Sequence, residues 1–256
     1  MSSNGTQSQL PEAAALVAFI RSCIADFATN QTRHIPMNRA REFKMTFGCC
    51  VQTVRYAEAY LVLCENALSL EARAPARAAL EHAVTAEYAY LRRDGLDQLA
   101  ASADRASWSI RDRLHRWTGV DAYRPGPEPT GPLPLPNVTG ERGQRPSIMR
   151  TLDPDDVLLN PGYAVLSQGV HVTNQTLSGF FVMNEDRSEM QIRHHRGDDL
   201  ADYTRFLVAE ACMLVAWIYA HVTENQARLR ELDALSDQLR LPSRLDGDWL
   251  GEDRAH

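Results

Sequence analysis

Apolar residues at helical spacing constrain this chain more than any other feature. Between residues 38 and 69 they recur every three or four positions, which is the period of an α-helix with one buried face. The residues of this stripe are Phe43, Phe47, Val51, Val54, Ala57, Leu61 and Cys64. Similar stripes predict further helices at 11–30, 74–93, 96–117, 162–179 and 198–235.

Between residues 121 and 150 prolines and glycines replace the helical pattern. The prolines are Pro125, Pro127, Pro129, Pro132, Pro134, Pro136 and Pro146. Proline removes a backbone donor and clashes with the preceding turn, so this spacing predicts a long loop that is either disordered or wrapped on the surface. The predicted fold is therefore an all-α bundle of about six helices with a long Pro-rich loop.

A small hairpin is compatible with the pattern at 180–183 and 189–192, with a turn at 184–188. The predicted organisation is a single helical domain at 11–240, which contains the Pro-rich loop at 121–150. A disordered tail is expected at 1–10 and an acidic tail at 241–256.

Composition argues for an ordinary globular protein. Of the 256 residues, 44% are hydrophobic and 23% are charged, and the net charge of −6 argues against a general affinity for nucleic acid. The five cysteines include no Cys-x-x-Cys pair, and the N-terminus lacks the pattern of a signal peptide. The apolar stretch 206–222 contains Glu210 and His221, so we interpret it as a buried helix. We therefore expect a cytoplasmic protein with no membrane partner, no cofactor and no metal.

Two polar patterns stand out on the predicted helices. Arg77 and Glu81 are four residues apart and share one face. This spacing fits an intrahelical ion pair that contributes roughly 0.2–0.5 kcal/mol, or an arginine that Glu81 holds in a cleft for a phosphate group. Tyr163, Ser167 and His171 also recur every four residues, so a phenol, a hydroxyl and an imidazole line one face of another helix. The trio either faces water or packs against the Arg77 face, and we favour the second arrangement.

The Arg-x-x-x-Glu helix, the long connection and the sequence Tyr-x-x-Leu-Ser-x-x-x-His resemble a family of bacterial all-helical proteins that is distantly similar to HEPN domains. The likeness spans roughly residues 41–171. It implies a metal-independent ribonuclease of a bacterial defence or toxin–antitoxin system, usually working as a homodimer. RNA or a nucleotide would then be the ligand.

The resemblance also implies which residues act. HEPN ribonucleases use an arginine and a histidine separated by four to six residues, and Arg77 and His82 fit that spacing. The residue after the arginine is commonly polar in that family, but here it is Ala78. Five helical positions also turn Arg77 and His82 about 140° apart, so His171 is the alternative partner. Candidate catalytic residues are thus Arg77, His171 and His82, supported by Glu81, Tyr163 and Ser167.

Two other functions remain open at this point. The same Arg/His cleft could bind a nucleotide, RNA or protein without catalysis. Alternatively, the long helices and the Pro-rich loop could serve only to form an oligomer. A metal site from Glu81, His82, His171 and His221 is a further alternative, but no paired Glu-x-x-His motif supports it.

Overall fold

The computed structural model describes residues 10–28, 35–140, 147–152, 158–168, 170–171, 181–186, 188–192 and 198–241. These residues form eight α-helices and one two-stranded hairpin, so the predicted all-α class with a small hairpin is confirmed. In chain order the elements are α1 (Ala13–Ala28), α2 (Ala40–Glu65), α3 (Arg73–Leu91), α4 (Gly95–Thr118), α5 (Ile148–Leu152), α6 (Leu159–Gln168), β1 (Phe181–Met183), β2 (Met190–Ile192), α7 (Ala201–Val222) and α8 (Gln226–Leu239).

Helix α7 is the centre of the bundle. It packs against α1, α2, α3, α6 and α8, and almost every residue from Phe206 to Val222 is buried. By length and composition α7 is apolar enough to cross a membrane, but 83% of its most apolar window is covered by the fold. The expectation of a buried helix at 206–222 is therefore met in this structure.

Helices α2 and α3 pack side by side and end in different ways. The predicted helix 38–69 stops at Glu65 because Ala67 adopts a left-handed conformation with φ of 59°. Leu68 N then donates to Leu63 O at 2.9 Å, which closes the helix end. Between α3 and α4, a Cβ on Gly95 would lie only 2.5 Å from the carbonyl oxygen of Ala89. Only glycine permits this close turn.

The single helix predicted at 198–235 is wrong, because two helices occupy this stretch. Helix α7 ends at Val222, and Glu224 follows with a left-handed φ of 52°. The side chain of Asn225 then accepts a hydrogen bond from Arg228 N at 3.1 Å and caps α8. Neither glycine nor proline marks the break, so the apolar period alone could not reveal it.

The hairpin and the Pro-rich loop largely match what the sequence predicts. Strand β1 pairs antiparallel with β2, with Val182 opposite Gln191. Residues 124–140 contain no helix, whereas 121–123 form a short 3₁₀ turn. The predicted end of the loop at residue 150 is too late, because α5 begins at Ile148, where its N–H bonds to Asn137 O at 2.9 Å.

The helix predicted at 162–179 begins three residues earlier, at Leu159, and α6 extends to Gln168. Pro161 occupies its first turn, where a missing N–H costs nothing, which explains the earlier start. The end of that predicted helix at 172–179, and the tails at 1–9 and 242–256, lie outside the described residues.

Candidate functional site

Arg77 and Glu81 lie on the edge of α3 that the core leaves open. The neighbouring face of α3 carries the buried side chains of Ala76, Leu80 and Val84. Arg77 Nε donates to Glu81 Oε1 at 3.0 Å, and the two side chains keep 21% and 34% of their surface exposed. The predicted i, i+4 ion pair is therefore present, and it lies at the surface rather than in the core.

Helix α6 brings Tyr163 onto this pair. A Cβ on the neighbouring Gly162 would lie 2.7 Å from the side chain of Leu207, so glycine lets α6 approach α7 closely. Tyr163 Oη donates to Glu81 Oε1 at 2.9 Å, and Arg77 Nη2 donates to Tyr163 Oη. The guanidinium carbon also lies 4.6 Å from the centre of the phenol ring. Glu81 and Tyr163 together fix the position of Arg77.

His171 completes the cluster from the chain that follows α6. Its backbone N–H bonds to Ser167 O at 3.1 Å, so the chain makes one further turn after Gln168. The imidazole Nε2 lies 3.1 Å from Arg77 Nη1, and the side chain is exposed. Because a guanidinium only donates, Nε2 is the acceptor in this contact. An exposed imidazole thus lies beside a cation that Glu81 and Tyr163 hold in place.

The environment of Tyr163 keeps its hydroxyl protonated. Burial raises the pKa of Tyr163, and its hydrogen bond to Glu81 raises it further. Thr139, at the end of the Pro-rich segment, lies within hydrogen-bonding reach of the same hydroxyl. Thr139 was missed in the sequence, because a lone threonine in a Pro-rich loop carries no periodic signal that would place it beside α6.

Two candidates from the sequence lie outside the cluster. The Ser167 hydroxyl donates to the carbonyl oxygen of Tyr163 at 2.7 Å, so it is turned toward its own helix. The His82 ring stacks on Tyr56 of α2, with ring centres 5.6 Å apart and an interplanar angle of 14°. Burial lowers the pKa of His82. The structure thus brings His171, rather than His82, to Arg77.

A second arginine of α3 forms a quite different pair. Arg73 Nε donates to Asp198 Oδ2 at 3.1 Å, and Arg73 Nη2 donates to Asp198 Oδ1. Each side chain is only 1% exposed. Asp198 also accepts from Leu200 N at 2.9 Å, so this ion pair joins the start of α3 to the turn before α7. No sequence pattern indicates this pairing, because the two residues are 125 positions apart.

Metal-ligating side chains are not gathered at this site. His221 packs near Tyr90, with ring centres 6.3 Å apart, and His82 packs on Tyr56. In the part of the chain that the structure describes, no group of three or more His, Cys, Asp or Glu side chains could hold a metal ion. The chemistry available among these residues is that of a guanidinium, an imidazole, a phenol and a carboxylate.

Comparisons with protein-family models, with curated proteins and with solved structures found no match to this chain.

Proposed function

We propose that this chain is a metal-independent endoribonuclease, acting in the cytoplasm as part of a bacterial defence or toxin–antitoxin system. The observation that carries the proposal is the contact between Arg77 Nη1 and His171 Nε2 at 3.1 Å at an exposed position. A base and a cation side by side are what cleavage of an RNA phosphodiester requires when the 2′-hydroxyl is the nucleophile. The resemblance to HEPN-like proteins supports the same chemistry.

In the proposed reaction, the substrate phosphate takes the place of His171 Nε2 on Arg77 Nη1, and His171 Nε2 then takes the proton of the ribose 2′-hydroxyl. The 2′-oxygen attacks phosphorus, and the bond from phosphorus to the 5′-oxygen breaks. The departing 5′-oxygen takes a proton from water, and the resulting hydroxide takes the proton held by His171, which restores the base. The products are a 2′,3′-cyclic phosphate and a 5′-hydroxyl. Arg77 stabilises the negative charge that develops on the phosphoryl oxygens.

Arg77 has the donors for this role. Its hydrogen bonds to Glu81, Tyr163 and His171 use three of its five N–H groups. The terminal nitrogens can direct the other two at phosphate oxygens. Glu81 and Tyr163 are positioning residues, because they hold the guanidinium without reaching the substrate.

A non-catalytic binding role is the second candidate. The three hydrogen bonds of Arg77 support this role too, because they hold the guanidinium where a phosphate group can reach it. The phosphate would displace His171 from Arg77 or bind beside it. In that case the cluster would hold RNA, a nucleotide or a phosphorylated protein and release it unchanged.

The test is cleavage of labelled RNA by purified protein in EDTA, with analysis of the product ends. We expect cyclic phosphate ends, no cleavage of an otherwise identical 2′-deoxy substrate, and loss of cleavage in a folded Arg77→Gln variant. If the RNA stays intact, and the wild-type protein binds it while Arg77→Gln does not, the binding role replaces the nuclease role. Equal cleavage by wild type and Arg77→Gln would refute both.

A further inference from the structure

The distal half of α4 is covered on one face only. The chain that follows α4 turns back at Gly119 and lies along the helix. Trp108 Nε1 donates to Gly126 O at 2.9 Å, and Arg111 Nη2 donates to Ala122 O at 3.2 Å. His115 Nδ1 lies 3.0 Å from Val120 O. These bonds place residues 120–126 against the face of α4 that carries Trp108, Arg111 and His115.

The opposite face of α4 is open and forms a regular stripe. At about 100° per residue its members lie within about 120° of the helix surface. The stripe consists of Ala103, Ala106, Ser107, Ile110, Arg113, Leu114 and Trp117. Ile110 is 59% exposed and Trp117 is 83% exposed. Exposed apolar side chains grouped in this way mark an interaction surface.

The size of the side chains changes along the stripe. The half near the bundle carries only the small residues Ala103, Ala106 and Ser107, whereas the far half carries Ile110, Leu114 and Trp117, with Arg113 at the edge of the stripe. When two such helices pair antiparallel, the large half of one faces the small half of the other. Ile110 then lies at the twofold axis, and Trp117 of each copy lies over Ala103 of the other. A stripe that complements itself under a twofold rotation fits a second copy of the same chain.

The charges on the distal half of α4 and on residues 120–126 favour a protein partner over nucleic acid. Arg116 is bound to Asp112, Arg124 pairs with Asp121 at 2.7 Å, and Arg111 is directed at backbone carbonyls. Three of the arginines are therefore already engaged by groups of the same segment. Three of the four large side chains on the open stripe, Ile110, Leu114 and Trp117, are apolar, which is typical of the core of a protein–protein contact.

We propose that two copies of this chain associate through α4, with the stripes antiparallel and Ile110 at the twofold axis. This contact is distinct from the dimer that a HEPN resemblance implies, because it uses none of the residues of the Arg77 cluster. Because the contact uses only the distal half of α4 from each copy, we expect it to be smaller than the about 800 Å² per partner of a standard interface. We therefore expect a dissociation constant in the range of about 1–100 μM.

The first test is sedimentation equilibrium of the full chain across that concentration range. We expect a reversible monomer–dimer equilibrium that Trp117→Glu abolishes and Met37→Glu leaves unchanged. Met37 is the matched control because it is 87% exposed and lies outside α4. Circular dichroism confirms that each variant is folded. A wild-type monomer at all concentrations, or a Trp117→Glu dimer as strong as wild type, would overturn the proposal.

Two further variants test the geometry. Ala103→Trp enlarges the apolar surface but fills the place of the partner's Trp117, so we expect at least a tenfold weaker dimer. A stronger association would indicate a nonspecific sticky surface and overturn the antiparallel pairing.

Ile110→Cys should form a disulfide-linked dimer under mild oxidation, whereas Met37→Cys and wild type should not. Equal crosslinking of the two cysteine variants would place the contact elsewhere.

Discussion

Arg73 and Arg77 lie one turn apart on α3, and each pairs with a carboxylate. The pair of Arg73 with Asp198 is 1% exposed on both sides and joins elements that are 125 residues apart in sequence. The pair of Arg77 with Glu81 is local and part-exposed, and it also meets Tyr163 and the exposed imidazole of His171. Two arginines that look alike in sequence therefore occupy opposite environments.

The difference shows how burial assigns a role to a charged side chain. A buried ion pair cannot exchange its partner for water, so losing one member leaves an uncompensated charge in the core. A part-exposed pair costs little to separate, because water replaces the lost interaction. Arg73 is thus suited to fixing the fold, and Arg77 is suited to meeting a ligand.

Breaking the buried pair should have the largest effect. We expect Arg73→Met to lower the free energy of unfolding by about 3–5 kcal/mol, because it leaves the Asp198 carboxylate buried without a cation. Urea denaturation followed by circular dichroism measures this. The double variant Arg73→Met with Asp198→Asn should regain most of the loss. A loss below about 1 kcal/mol in Arg73→Met would remove the contrast between the two arginines.

Glu87 shows what burial does to a carboxylate of α3 in the absence of a strong counter-charge. Burial raises the pKa of Glu87 to about 8. In the unfolded chain the Glu87 carboxyl ionises near pH 4.5. Between pH 4.5 and about 8 the unfolded state therefore binds fewer protons than the folded state, and the free energy of unfolding falls as the pH rises. Glu87→Gln lacks this titration. We expect it to match wild type near pH 4.5 and to be more stable by about 4 kcal/mol at pH 8.

Urea denaturation of wild type and Glu87→Gln at a series of pH values gives this difference directly. Glu81→Gln is the matched control, because Glu81 lies on the same helix and is 34% exposed. A stability difference between Glu87→Gln and wild type that does not grow with pH would contradict the role assigned to burial.

Tyr163 tests how firmly the open site is held. Tyr163→Phe keeps the ring over the guanidinium but removes the bond to Glu81 and the acceptor for Arg77. We expect a loss of about 1 kcal/mol in the free energy of unfolding. If Tyr163 positions Arg77, RNA cleavage should fall mainly in kcat. An unchanged cleavage rate would show that Glu81 alone positions the arginine.

The smallest effect on stability is expected at Arg77 itself. Arg77→Gln removes the ion pair with Glu81 and the bonds to Tyr163 and His171. Because water reaches this site and replaces lost bonds, the free energy of unfolding should change by less than about 1 kcal/mol. Thermal and urea unfolding beside Arg73→Met measure the contrast within one helix. A loss in Arg77→Gln as large as in Arg73→Met would make both arginines structural.

The sequence predicted the helices well where their apolar period was long and ended at Pro or Gly. It missed the break at Glu224, because a left-handed glutamate followed by the Asn225 cap leaves no such signal. The four-residue spacing predicted that Tyr163 and His171 lie on one side of the same segment, and both side chains contact Arg77. The spacing could not reveal the Arg73–Asp198 pair or the approach of Thr139, because both depend on how distant segments pack.

His171 is the base and Arg77 the cation in the proposed reaction. RNA cleavage in EDTA by folded His171→Asn and His82→Asn variants, beside wild type, tests this assignment. We expect His171→Asn to lose at least a hundredfold in kcat, because a general base typically contributes about 10²–10⁴-fold. His82→Asn should cleave like wild type, because the His82 ring stacks on Tyr56 away from Arg77. Loss of cleavage in His82→Asn, with His171→Asn active, would make His82 the base and refute the role of His171.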